Sequence, residues 1–230
     1  AGVVSPRREV PCAGDHSGGT GEGGLQACLG AAVGGGLVQD GIAGMLPLQV
    51  SGEGAQQRIA IRTPRAQLAE TAQAGDPRLQ PALKGWPLGE LPPARMQGGR
   101  SWWVVQVASE AALRALQPDW DSIATLAEST DSMGVFAYAF SDGSEGFDLA
   151  VRAFVGNGRR FEDAASGAAN AVLAAWLDLR GVLPRGREAY EVSQGREVGH
   201  DARLTLRVDE AGEVWSGGQV QTVIAGTIDW

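Results

Sequence analysis

Leu149-Ala150-Val151-Arg152-Ala153-Phe154-Val155, followed across a short turn by Glu162-Asp163-Ala164-Ala165-Ser166-Gly167-Ala168, is the stretch on which the fold turns. Leu149, Val151, Ala153 and Val155 alternate as a half-buried strand does. Asn157-Gly158 is a turn signal. The acidic turn then opens an Ala-rich run containing Val172, Leu173, Trp176, Leu177 and Leu179. Its apolar residues fall on several faces, which predicts a buried helix over 167–179 with Trp176 in the core and Gly181 as the C-terminal stop.

Working outward, a similar unit lies near the N-terminus. Val3-Val4 and Glu9-Val10-Pro11-Cys12 lead into a Gly-rich turn, and Leu25, Cys28, Leu29, Ala32 and Val33 then follow at helical spacing. A strand, a Gly- or acid-rich turn and a buried helix thus occur twice, which predicts an α+β chain of two related halves. Residues 76–99 carry Pro77, Pro81, Pro87, Pro92 and Pro93 and read as the linker between them. The expected domains are therefore 1–90 and 91–230, with the final strand returning to the first. Within the second, the pattern predicts strands at 102–107 and 134–140, helices at 110–116 and 120–129, and late strands at 189–192, 202–208, 213–216 and 220–224. Strict alternation at Trp102-Trp103 predicts that one of the two is core.

Composition narrows the function. The net charge of −8 repels phosphate backbones and anionic lipid, so neither nucleic acid nor a membrane is an expected partner. The N-terminal residues lack a signal-peptide pattern and no apolar run is long enough to span a bilayer. Two cysteines, Cys12 and Cys28, are too few for a secreted disulfide scaffold, which points to the cytoplasm; they read as small buried apolar residues. His16 and His200 lie in no Cys/His cluster of ligand spacing, so no metal is expected.

The acidic turn resembles the E-D-x-A-[ST]-G-[SA] motif of the phenazine-biosynthesis-like (PhzF-like) isomerases. Arg152-Ala153-Phe154 is similar to that family's R-x-F strand, Gln194-Gly195-Arg196-Glu197-Val198-Gly199 to its Q-G-x-E-[IV]-G segment, and Leu113-Arg114-Ala115-Leu116-Gln117-Pro118-Asp119 to its L-x-x-L-x-P-D stretch. Arg8-Glu9-Val10-Pro11 with Ala13-Gly14 resembles the segment opening its first central helix. The resemblance implies a diaminopimelate-epimerase-like fold, in which each half is a curved sheet wrapped on a central helix and the active site lies between them. It implies no cofactor and proton transfer on a small carboxylate-bearing metabolite; a homodimer or larger assembly is expected separately, from the sheet edge that a first half without its opening strands leaves uncovered.

The departures are specific. The family's opening strands and their acid/base glutamate, in an N-x-S-E-T setting, have no match, so the first half reads as truncated. Asp15 stands at the family's histidine and His16 one place later. Ser166 and Ala168 replace Thr and Ser, and His200 stands where arginine is common. Ser166 also occupies the second thiol's place of the epimerase branch, which argues against a two-thiol racemase.

Helix N-termini at the two turns offer unpaired N–H groups and positive potential to a carboxylate. The candidate catalytic residues are Asp163, Asp15 and His16, and the candidate substrate-binding residues are Gly14, Gly19, Thr20, Ser166, Gly167 and Ala168. The plainer alternatives are that Asp163 only caps the helix, that Asp15 and His16 are solvated loop residues, and that His200 is a surface residue. The function expected is a cofactor-independent isomerase or epimerase; the alternative is a non-catalytic remnant that keeps the fold and an anion-binding cleft.

Overall fold

A computed structural model describes residues 29–33, 36–41, 44–53, 56–73 and 75–220. In chain order the elements are β1 (Leu29–Val33), β2 (Gly36–Gly41), β3 (Gly44–Ser51), β4 (Arg58–Thr63), β5 (Gln67–Thr71), β6 (Ala94–Gly98) and β7 (Arg100–Gln106). Helices α1 (Glu110–Ala115) and α2 (Trp120–Thr130) precede β8 (Gly134–Phe140), β9 (Leu149–Val155) and β10 (Phe161–Asp163). Helix α3 (Gly167–Arg180) leads to β11 (Tyr190–Gln194), β12 (Ala202–Val208) and β13 (Val214–Gln219). The architecture is mixed α+β, with one large sheet and few helices.

The described strands join in one 13-stranded sheet of order β1-β2-β3-β4-β13-β12-β11-β9-β8-β7-β6-β5, with β10 paired to β9 outside that path. Pairing is antiparallel except between β7 and β8 and between β9 and β11. Helix α3 packs on β12 and β13 and also on β5, β6 and β7.

The two faces of the sheet are both covered in this region. Trp102, Val104, Phe136, Tyr138, Leu149, Val151 and Ala153 pack with α3. Trp103, Val105, Val135, Ala137, Ala139 and Ala150 pack with Leu113 of α1 and Ile123 and Leu126 of α2. Alternation therefore buries both tryptophans, Trp102 at 4% and Trp103 at 0% exposure, and the expectation that only one is core is corrected.

Two further expectations are corrected. Residues 29–33 form strand β1, not a helix: they pair antiparallel with β2, with Leu29 opposite Gln39 and Val33 opposite Gly36. Gly30 weakens a helix there by about 1 kcal/mol relative to Ala, and a short apolar run takes whichever form its neighbour satisfies. The Pro-rich segment 76–99 is no free linker. Leu79, Ala82, Leu83 and Trp86 are buried in the α1–α2 core, and β6 lies within the segment. The strand predicted at 220–224 falls almost wholly outside the described residues, and Val220 is not in a strand.

Toward its N-terminal edge the sheet changes character. Ser216 of β13, which faces α3, lies opposite Ile61; Ile61 lies opposite Leu48, and Leu48 opposite Leu37. Directly opposed residues share a face. Leu37, Leu46, Leu48, Val50, Ile59 and Ile61 thus form an apolar stripe on the α3 side of β2–β4. Leu37 and Val50 are exposed and the other four are half-buried. The reverse face carries Gln49, Ser51, Arg58 and Arg62. No helix among the described residues is long and apolar enough to cross a membrane.

Candidate functional site

The site candidates that fall within the described residues converge on the start of α3. β10 is a short strand on the edge of β9, with Asp163 opposite Ala153 and Glu162 opposite Phe154. The chain then turns over Ala164 and Ala165 into the helix. Ser166 is the N-cap, in extended conformation, and its Oγ accepts from Ala169 N at 3.4 Å. The cap is therefore Ser166, not Asp163. The Asp163 carboxylate instead accepts from Ala165 N at 3.2 Å, two residues on, as an Asx turn. The first N–H groups of a helix have no partner within it, and at α3 the outermost belong to Gly167 and Ala168. Gly167 is half-buried and Ala168 exposed, so the helix end reaches solvent beside a half-buried aspartate. The Gly167 carbonyl accepts from Ser216 Oγ at 3.2 Å, which ties the first turn to β13.

Gln194, fully buried at the end of β11, is the residue that holds the turn together. Its Nε2 donates to the Asp163 carbonyl at 2.8 Å. Its Oε1 accepts from Ser166 N at 3.2 Å and from Asn170 Nδ2 at 2.8 Å. Asn170 Nδ2 also donates to the Ser166 carbonyl at 2.8 Å. These bonds fix both amide orientations. Gly195 follows at φ 85°, where a Cβ would stand 2.4 Å from the Ala164 carbonyl oxygen, so only glycine lets the strand pass so close to the turn.

Behind the turn lies a buried ion cluster. Arg152 grips Glu162 with two bonds, Nε–Oε1 at 2.9 Å and Nη2–Oε2 at 2.7 Å, and both side chains are 5% exposed. Its Nη1 donates to the carbonyls of Leu113, Arg114 and Leu116, which terminates α1. Glu197 Oε2 lies 3.9 Å from Arg152 Nε and its carboxylate pairs with Arg114, which also reaches Glu110 and Ser193. The charged members of three sequence motifs, Arg152, Glu162 and Glu197, are thus one structural network. They carry the turn; they do not line it. The signal for this is present in the sequence, since Arg152 interrupts an otherwise apolar strand and such a charge is buried only when paired.

Gly14, Asp15, His16, Gly19, Thr20, Cys12 and Cys28 lie outside the described residues. His200 is exposed at the surface, with its backbone N–H on the Gly195 carbonyl. Among the described residues no group of His, Cys, Asp and Glu is arranged to hold a metal ion. A surface depression of about 590 Å³, lined by Arg187, Glu188, Arg207, Asp209 and Glu210, contains no candidate residue. Arg187 also pairs with Asp178 near the C-terminal end of α3, which at 1.5 Å per residue is about 20 Å from Ser166. Both charge signs meet in this open basin, and the ordered turn at Asp163–Ala168 is the better-built site.

The fold and the turn define an α+β protein that presents an aspartate beside the exposed N-terminus of a buried helix. The chain belongs to the phenazine biosynthesis-like protein family, whose model matches residues 3–227. A curated relative, antisense-enhancing sequence 1 of Schizosaccharomyces pombe, is 24% identical over 199 residues, covering 83% of this chain and 66% of that protein. The fold is similar to that of a predicted epimerase from Pseudomonas aeruginosa, with TM-score 0.62, 24% identity, and coverage of 81% of this chain and 64% of the other. It is also similar to the PhzF-family phenazine biosynthesis protein of Bacillus anthracis, with TM-score 0.61, 18% identity, and coverage of 80% and 65%. The chain therefore spans just under two thirds of the length of these relatives.

Proposed function

We propose that this chain acts as a cofactor-independent isomerase or epimerase of the PhzF type on a small carboxylate-bearing metabolite. The observation that carries this reading is the Asp163 carboxylate, fixed in an Asx turn beside the free end of α3. The helix end supplies N–H donors and positive potential for a substrate carboxylate. Asp163 is then the group that takes or returns a proton at a neighbouring carbon, and Asp15 or His16 is proposed as the second acid/base. Removing a proton at one carbon and returning it at another, or on the other face, leaves the substrate's composition unchanged and needs no redox partner. The family's hydroxyl at position 168 is lost, so substrate contacts there come from the backbone. With two cysteines, too few for a secreted disulfide scaffold, the chain is assigned to the cytoplasm.

Deuterium exchange from solvent into a panel of cyclic and acyclic carboxylates tests the assignment. Asp163→Asn is expected to lower exchange by roughly 10²–10⁴-fold, the usual contribution of a positioned acid or base. The double change Asp15→Asn, His16→Gln is expected to do the same. Exchange unaffected by both overturns the assignment, and anion binding with no exchange identifies a binding protein.

The half-exposed stripe from Leu37 to Ile61 also supports a homodimer, since contiguous apolar surface beside a sheet edge is normally covered. Sedimentation is expected to give a dimer at micromolar concentration; a monomer throughout that range contradicts it.

A further inference from the structure

We infer that Gln194 is a positioning residue for this site: its side-chain amide clamps the Asp163–Ser166 turn from both ends and so sets where the Asp163 carboxylate stands relative to the N–H groups of Gly167 and Ala168. The inference rests on the carboxylate-binding reading above for its ligand, but not for its geometry. The donor Nε2 holds the Asp163 carbonyl and the acceptor Oε1 holds Ser166 N, so the two bonds bracket Ala164 and Ala165, and Ala165 N is the donor to the Asp163 carboxylate. Gln194 is itself immobilised. It lies opposite Val151 of β9 in the parallel pairing and opposite Ala202 of β12 in the antiparallel one. Its side chain is 0% exposed, and the third bond, from Asn170 Nδ2, stops it rotating away. The close approach of Gly195 to the Ala164 carbonyl keeps the turn seated against this strand. Only an amide supplies a donor to a carbonyl and an acceptor to an N–H from one side-chain end. Glutamate at this position keeps the length and both acceptor bonds but turns an oxygen toward the Asp163 carbonyl. Methionine keeps the length and removes all three bonds.

The experiment uses the full chain and two readouts. The first is titration with succinate, followed by the amide signals of Gly167 and Ala168. The second is solvent hydrogen exchange at the Ala165 N–H, the donor to the Asp163 carboxylate. Gln194→Met and Gln194→Glu are expected to weaken succinate binding about tenfold, the scale of one lost net hydrogen bond in a site that depends on it. Both are expected to speed exchange of the Ala165 N–H severalfold, because a loosened turn no longer holds that donor on the Asp163 carboxylate. Val208→Ala, buried in β12 away from the turn, serves as the control: it lowers global stability and leaves both readouts unchanged. If Gln194→Met does not fold, the Ala165 exchange of Gln194→Glu carries the comparison, since its added charge bears on succinate directly. Wild-type succinate affinity and unchanged Ala165 exchange in the Gln194 variants overturn the clamp. If the wild-type chain gives no succinate shift, the carboxylate-binding reading fails, and Ala165 exchange alone still decides the role of Gln194.

Discussion

Arg152→Met is expected to lower the stability of the folded chain by about 3–5 kcal/mol, the cost typical of breaking one side of a buried ion pair. Location decides the size of this effect. Arg58 and Glu191 pair at 3.0 Å, but their side chains are 50% and 30% exposed, and such a pair contributes at most about 1 kcal/mol. Arg152 and Glu162 are each 5% exposed, so removing the guanidinium leaves a carboxylate in the interior without its counter-ion. It also leaves the carbonyls of Leu113, Arg114 and Leu116 without their shared donor at the end of α1. The double change Arg152→Met, Glu162→Leu removes the stranded charge and is expected to recover part of the loss, though not the α1 terminus. Urea denaturation of the two variants measures the difference. A loss below 1 kcal/mol in the single variant contradicts the burial of the pair.

Trp176→Ala is expected to cost about 3–5 kcal/mol, as for other fully buried large aromatics. Trp176 is 0% exposed on the inner face of α3, in the core shared with Phe136, Tyr138, Leu206 and Val208. Helix α3 packs on β5, β6, β7, β12 and β13, so several strands would have to shift to fill the space. Trp176→Phe separates packing from polarity. Trp176 Nε1 and the Tyr138 hydroxyl lie close enough for the indole to offset part of the burial that pushes the phenol's pKa up, yet neither atom has a hydrogen-bond partner of acceptable geometry. Phenylalanine keeps a ring and deletes an unsatisfied donor, so its cost should be well under half that of alanine. Chemical denaturation read by circular dichroism checks both. An unchanged midpoint for Trp176→Ala removes this residue from the core.

Which parts of this structure could be read in the sequence follows from how local each signal is. Helix α3 was legible because its apolar residues and its stop are local, Val172 to Leu177 and then Gly181 in the left-handed conformation; its cap was not, since Asp163 was the capping candidate and Ser166 takes that place. β8 and β9 were legible for the same reason. The convergence of Asp163, Ser166 and Gly167 needed no tertiary information, since one turn contains them. β1 was not legible, because apolar residues at Leu29, Ala32 and Val33 satisfy either a helix face or a short strand, and pairing with β2 decides between them. Both tryptophans of β7 are core because α3 covers one face and α1–α2 the other, and alternation alone says nothing about the second layer. Gln194 stood in a recognisable motif, but its role depends on β11 lying beside β9, which brings it 28 residues along the chain to Ser166.

The place of β13 in the sheet has a consequence for biosynthesis. In the strand order it alone joins β4, and with it β1–β3, to the rest of the sheet. Thr63 meets Val214 across 151 residues of sequence. At about 5–20 residues per second, a ribosome needs roughly 8–30 s to supply the partner that β4 requires. During that interval β2–β4 can form hairpins, but the edge of β4 and the apolar stripe remain open to other chains. Completion of the sheet therefore waits for the last described strand to leave the ribosome, and nascent chains stopped before Val214 are the form of this protein most exposed to chaperones and to aggregation.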